Sequence, residues 1–201
     1  MERAENTSFR KVGIVMVAGM LLASIFILAQ EPPKKGKAET IQCQAVGTST
    51  QLGKNAGVTI IIEEYSPPED RQILLDAFEH KGNEGLCNAV SKMSSKGRIA
   101  ITGTVGYNVN YIRQFPTANG RTLRMVTDRP ITFGEAWYSG RSMDYNLSAL
   151  ELDLSNEKGK STGKLLPACR LKLNKKTGEI EIETFKNPWN LVNIIEWNKR
   201  E

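Results

Sequence analysis

YNVNYIRQFPTANGRTLRMVTD, residues 107–128, sets two runs of strand-forming residues, 107–115 and 121–128, on either side of Asn119-Gly120. Asn-Gly is the strongest short hairpin signal, because both central positions of a type I′ turn need positive φ. With those two residues as the turn, Ala118 faces Arg121, Phe115 faces Arg124, Arg113 faces Val126 and Tyr111 faces Asp128. One face of the hairpin then carries Tyr111, Arg113, Phe115, Arg124 and Asp128. Ile112, Leu123 and Met125 take the other face and claim the core. A five-residue loop over 116–120 would instead pair Arg113 with Leu123 and redistribute these side chains.

The same period of two extends outward in both directions. Thr40 to Tyr65 reads as a hairpin, with Val58, Ile60 and Ile62 alternating and a turn around Gly53 to Gly57. The period then changes. Ser66 followed by Glu69 offers a helix start; Ile73, Leu74, Ala77 and Phe78 recur at helical spacing, and Lys81-Gly82 closes that helix. Asn83 opens a second helix with the stripe Leu86, Ala89, Val90 and Met93, stopped at Lys96-Gly97. Beyond Gly97 strand spacing returns: Ile99 and Ile101, the hairpin above, Leu150, Leu152 and Leu154, Leu171 and Leu173, and the acidic-aliphatic run Glu179 to Glu183 after an Asn174 to Gly178 turn. Pro188 to Trp197 suits a last strand or a short helix.

Short connections between strands require antiparallel pairing, since parallel neighbours need a long crossover each time. The fold class is therefore α+β: a curled antiparallel β-sheet or β-barrel-like meander of eight or nine strands, with one helical hairpin inserted after the second strand. Closure would remove the edges that so long a meander exposes.

Before the folded body, residues 12–29, VGIVMVAGMLLASIFILA, run without a charge behind Arg3, Arg10 and Lys11. At ~1.5 Å per residue this stretch covers ~27 Å, enough for a signal peptide or an N-terminal membrane anchor. Residues 30–39 read as a linker stiffened by Pro32 and Pro33, and 40–201 as a single exported domain, periplasmic or extracellular. Contact with membrane is expected only through residues 12–29, if they are kept. The 201 residues carry 27 Lys and Arg against 22 Asp and Glu, a formal +5. Three basic and two acidic residues leave with 1–29, so 24 against 20 remain, or +4. This modest excess permits an anionic partner, but acidic residues interrupt it too often for a nucleic-acid surface. Cys43, Cys87 and Cys169 are an odd number for an oxidising compartment and match no zinc spacing.

Enzyme signatures are missing. There is no P-loop, no dinucleotide-binding glycine motif after a strand, no G-x-S-x-G and no H-E-x-x-H, and the sequence calls for no cofactor or metal. The single histidine, His80, falls at a helix end, where it reads as a surface residue near the cap. What remains is the aromatic and guanidinium face of 107–128 with the residues that follow it. Tyr111, Arg113, Phe115, Arg124, Asp128, Arg129, Glu135, Arg141 and Asp144 form the candidate ligand-binding set, because guanidinium groups and rings together suit an anionic or aromatic ligand. A salt-bridged outer face is the plain alternative for the same residues.

VTDRPITFGEAW from Val126 to Trp137, then RSMDY from Arg141 to Tyr145, resembles a pattern in uncharacterised exported proteins of soil bacteria. Gly97-Arg-Ile and the Lys176 to Glu179 turn resemble it too. The resemblance covers roughly residues 40–197 and implies export and one shared domain, with no activity attached. The expected function is a non-enzymatic domain of the cell envelope that binds a small ligand or a partner protein. Two alternatives stand beside it: a cofactor-free enzyme using Glu135, Asp128 and Asp144 with Arg129 or Arg141 as an anion clamp, and a structural envelope protein.

Overall fold

In the computed structural model, which describes residues 37–131, 145–174, 179–184 and 187–198, nine strands and one α-helical excursion follow the order expected, with a single 3-10 turn, Ser49–Gln51, between the first two strands. The strands are β1 (Glu39–Val46), β2 (Asn55–Ile62), β3 (Gly97–Ile101), β4 (Tyr107–Thr117), β5 (Gly120–Thr127), β6 (Leu147–Ser155), β7 (Thr162–Asn174), β8 (Glu179–Thr184) and β9 (Trp189–Trp197). Pro188 to Trp197 thus ends in a strand. The expected segment 12–29 lies outside the described residues, and among those that are described no helix is long and apolar enough to cross a membrane.

Every pairing is antiparallel, and the ladder β6-β5-β4-β3-β2-β1-β9-β7 closes on itself because β7 also pairs with β6. The result is an eight-stranded barrel with β8 attached outside it. Closure depends on β7. Its residues 163–165 lie between β9 and β6, with Gly163 opposite Leu191 on one side and Leu152 on the other. A Cβ on Gly163 would come within 2.8 Å of the Glu151 carbonyl oxygen and 3.2 Å of the Leu191 Cβ, so only glycine admits this approach. Pro167 then interrupts the ladder, having no N–H to give. Two residues of β7, Pro167 and Ala168, oppose Ser148 alone, and the Ser148 hydroxyl donates to the Pro167 carbonyl at 2.5 Å. Past this bulge β7 runs out of the barrel, where Cys169–Asn174 pairs with β8.

The inward side chains fill the barrel. Ile41, Ile60, Ile62, Ile99, Ile112, Leu123, Met125, Leu150, Leu152, Leu165, Trp189 and Leu191 form one buried cluster. This is the face that alternation assigned to the core, Ile112, Leu123 and Met125 included.

Residues Pro68–Lys92 form the helical excursion α1, broken at Lys81 (φ −136°, ψ 15°) and Gly82 (φ 56°, ψ −143°). The expected two helices are therefore present as two halves of one kinked stretch. Gly82 supplies the positive φ that makes the break, as Lys81-Gly82 foretold. The second half buries Leu86 and Val90, with Ala89 and Met93 against the same cluster, as the stripe required. In the first half Leu74 and Phe78 pack inward, whereas Ile73 is half exposed. The start also differs from expectation. Ser66 does not cap the helix: Pro67 holds the N-cap position, and the Ser66 hydroxyl accepts the Ile112 backbone N–H at 3.0 Å instead. Ser66 thus ties the helix entry to β4.

Candidate functional site

The barrel's outer wall over β4, β5, β6 and β7 is ordered into three cross-strand rows. Tyr111, Val126, Ala149 and Leu166 stand opposite one another in the first, Arg113, Arg124, Glu151 and Lys164 in the second, and Phe115, Thr122, Asp153 and Thr162 in the third. Outward residues of one strand recur every second position, so successive rows lie about 7 Å apart. The first row is apolar and lies under α1, in a cluster with Leu74, Leu86, Val90, Leu147 and Cys169. The second and third rows continue beyond the helix into solvent.

Here the guanidinium and ring residues meet. The Arg113 guanidinium lies 4.8 Å and that of Arg124 5.2 Å from the centre of the Phe115 ring. Arg124 Nε donates to Glu151 Oε2 at 2.6 Å, and the Thr122 hydroxyl donates to Asp153 Oδ1 at 2.7 Å. Arg113 lies beside the Tyr111 hydroxyl, and among the described residues no carboxylate forms an ion pair with it. Burial under the helix raises the Tyr111 hydroxyl pKa, partly countered by Arg113. The wall therefore presents two cations on one ring, with acceptors alongside.

The register differs from the one expected. Thr117 pairs with Gly120, which makes Ala118 and Asn119 the turn residues, and neither has positive φ. Arg113 consequently faces Arg124, Phe115 faces Thr122 and Tyr111 faces Val126, a slip of two residues from the expected pairing. Gly120 is required for a different reason: paired with Ser155 as well, it leaves no room for a Cβ against the Leu154 carbonyl. A slip of two preserves which face each residue takes, so Tyr111, Arg113, Phe115 and Arg124 still share the outer wall.

The other candidates fall elsewhere. Asp128 and Arg129 follow the far end of β5, about 20 Å along the strand from the Phe115 row. There the Arg129 guanidinium lies 5.6 Å from the Tyr107 ring centre and its Nε 3.9 Å from Asp128 Oδ1. Glu135, Arg141 and Asp144 lie outside the described residues. His80, at the kink of α1, bonds through Nδ1 with the Asp76 carbonyl oxygen at 2.7 Å. It lines a groove of about 630 Å³ between the two helical halves, together with Asp70, Ile73, Ala77, Lys81 and Met93.

A polar cluster that the strand patterns did not single out occupies one end of the barrel. Arg121 projects inward from β5 beside Leu123 and Met125, and is almost wholly buried. Its Nη2 bonds Glu39 Oε1 and donates to Glu196 Oε2 at 2.6 Å, while Nη1 donates to Gln114 Oε1 at 2.9 Å and the Tyr65 oxygen at 3.1 Å. The Tyr65 hydroxyl donates to Glu39 Oε2 at 3.0 Å. Burial, with the Glu39 charge beside it, pushes the Tyr65 pKa up to about 12. Although burial opposes it, bonding to Glu39 and Glu196 raises the Arg121 pKa further, so the guanidinium stays charged. The signal for this cluster was present in the sequence, since Arg121 stands at an inward position of an otherwise aliphatic face. Its chemistry is that of a plug: Nη1 and Nη2 both donate to protein acceptors, Nε is buried without a partner, and the charges close the end of an apolar interior.

No protein-family model, curated protein or solved structure matches the chain.

Proposed function

We propose that this chain is an exported, non-enzymatic binding domain of the cell envelope that holds an acidic segment of a partner protein on the outer wall of its barrel. The observation that carries this reading is the pair of guanidinium groups, Arg113 and Arg124, on the exposed side of β4 and β5 over the Phe115 ring. A small ligand enclosed by the strands is less well supported, because apolar side chains occupy the interior and Arg121 with its carboxylates fills one end.

Mixed charge favours a protein over an anionic membrane. Glu151 and Asp153 stand in the same rows as Arg124 and Phe115, and would be repelled by a lipid surface. A peptide can instead place carboxylates on Arg113 and Arg124 and donors against Glu151 and Asp153, with an apolar group on Phe115. The helical hairpin borders this wall and limits the partner to the two exposed rows.

Retention of the purified chain on immobilised poly-glutamate tests the reading. Wild-type protein should be retained at low salt and released as salt rises. The double variant Arg113→Ala/Arg124→Ala should pass through, with its melting temperature nearly unchanged. Equal retention of both proteins would argue against this wall.

The alternative of a structural envelope protein draws on a different surface. Val192, Ile195 and Trp197 are exposed on the outside of β9, an apolar strip that self-association would cover. Sedimentation of a Trp197→Lys variant separates the two readings: loss of a wild-type oligomer would favour the structural one.

A further inference from the structure

The barrel wall sorts the three thiols. Cys43 points into the interior from β1, among Val58, Ile60 and Ile101. Cys169 is fully buried on the opposite side of the wall, in the seam under α1, and Cys87 packs into the same seam from the second helical half. Both thiols face the cluster formed by Leu74, Leu86, Val90 and Leu147. Burial pushes the Cys169 thiol up to about 12, and the nearby Cys87 thiol adds to the rise, since two thiolates this close repel each other. All three are free thiols in the structure. The strands stand between Cys43 and the other two, so one pairing is available.

We infer that Cys87 and Cys169 are the site of a disulfide that fastens the helical hairpin to the outside of the barrel, with Cys43 left as the odd thiol inside. The inference rests on the exported reading, because an oxidising compartment must supply the oxidant. That oxidant is a disulfide donor, either a small-molecule disulfide or a thiol oxidoreductase. The half-buried Cys87 attacks it as thiolate and releases one donor thiol; Cys169 then attacks the Cys87 sulfur of the mixed disulfide and releases the second. Two protons leave the protein cysteines, and the donor disulfide is reduced to two thiols.

Because burial raises both pKa values, thiolate is scarce once the hairpin has docked. The bond therefore forms while the chain folds, and slowly if the folded protein is oxidised afterwards. Its effect is to close a chain loop that spans all of β3 to β6, removing freedom from the unfolded state.

The full-length chain, refolded with oxidised and reduced glutathione, provides the test through peptide mapping without reductant. The result expected is a Cys87–Cys169 peptide, one free thiol at Cys43, and a melting temperature that falls by roughly 5–15 °C on reduction. The Cys43→Ser variant should give the same linked peptide, and the melting temperature of Cys87→Ser should not respond to reductant. Three free thiols after refolding, or a linkage through Cys43, would overturn the inference. Alkylation of thiols at cell lysis separates it from its premise: the same linkage in protein from cells supports both. Free thiols in cells together with the linkage in vitro would count against export while leaving the pairing intact.

Discussion

Arg113 and Arg124 stand directly opposite one another across the β4–β5 hairpin, two like charges brought together over one Phe115 ring. Like charges in facing positions oppose pairing, and what offsets them here is the ring, worth about 0.5–1 kcal/mol per cation at exposed sites, and the Glu151 carboxylate on Arg124. The pair is therefore near neutral for folding, and its removal should test the proposed binding wall without unfolding the protein.

Replacing Arg113 with Ala should therefore change stability by less than about 0.5 kcal/mol, because the lost ring contact is balanced by relief of repulsion. Urea denaturation with an unchanged slope would measure this. A loss of several kcal/mol would make Arg113 a structural residue.

Arg121 should behave in the opposite way. Arg121→Met leaves the fully buried Glu39 without its cation, which costs about 3–5 kcal/mol. Glu39→Leu added to Arg121→Met should recover most of that loss, since the uncompensated charge then goes too. A double variant as unstable as the single one would show that the loss arises from packing.

Stability should decline in alkali. Burial pushes the Cys43 thiol up to about 12, whereas the unfolded thiol titrates near 9. Between these values the folded protein holds a proton that the unfolded chain has released, so stability is complete below pH 9 and falls as pH rises toward 12. The full effect is on the order of 4 kcal/mol. Cys43→Ala should make the alkaline limb of a stability profile shallower; an unchanged limb would place its origin in other groups, such as Tyr65.

The closure of the barrel should depend on Gly163. Gly163→Val adds a side chain where β6 and β9 both crowd the backbone, and an expected loss of roughly 2–3 kcal/mol follows from overpacking. Urea denaturation checks it, with a cost below 0.5 kcal/mol contradicting the tight approach.

What was legible in the sequence follows from what each signal constrains. Alternation fixes the face of a residue, so the core positions and the outward Tyr111, Arg113, Phe115 and Arg124 could be read directly. Register depends on the turn and on long-range fit. The glycine of Asn119-Gly120 is held by the Leu154 carbonyl of another strand, which no local pattern reveals. For the same reason β7's double pairing and the bulge at Pro167 were hidden, since ring closure has no local signature. Ser66 departs from the capping role its position suggests because a hydroxyl near a helix start serves a neighbouring strand as readily as a cap. Arg121 was legible in principle, as a charge on an aliphatic face, but its partners lie on β1, β4, β9 and the segment before α1.

Chemical-shift mapping during titration with a glutamate-rich peptide bears most directly on the proposed binding wall. The account predicts shifts confined to the outward residues of 111–124, 151–153 and 162–164, with the amides flanking Ile60 and Trp189 unmoved. Shifts centred on inward-facing residues, or on the groove beside His80, would contradict it.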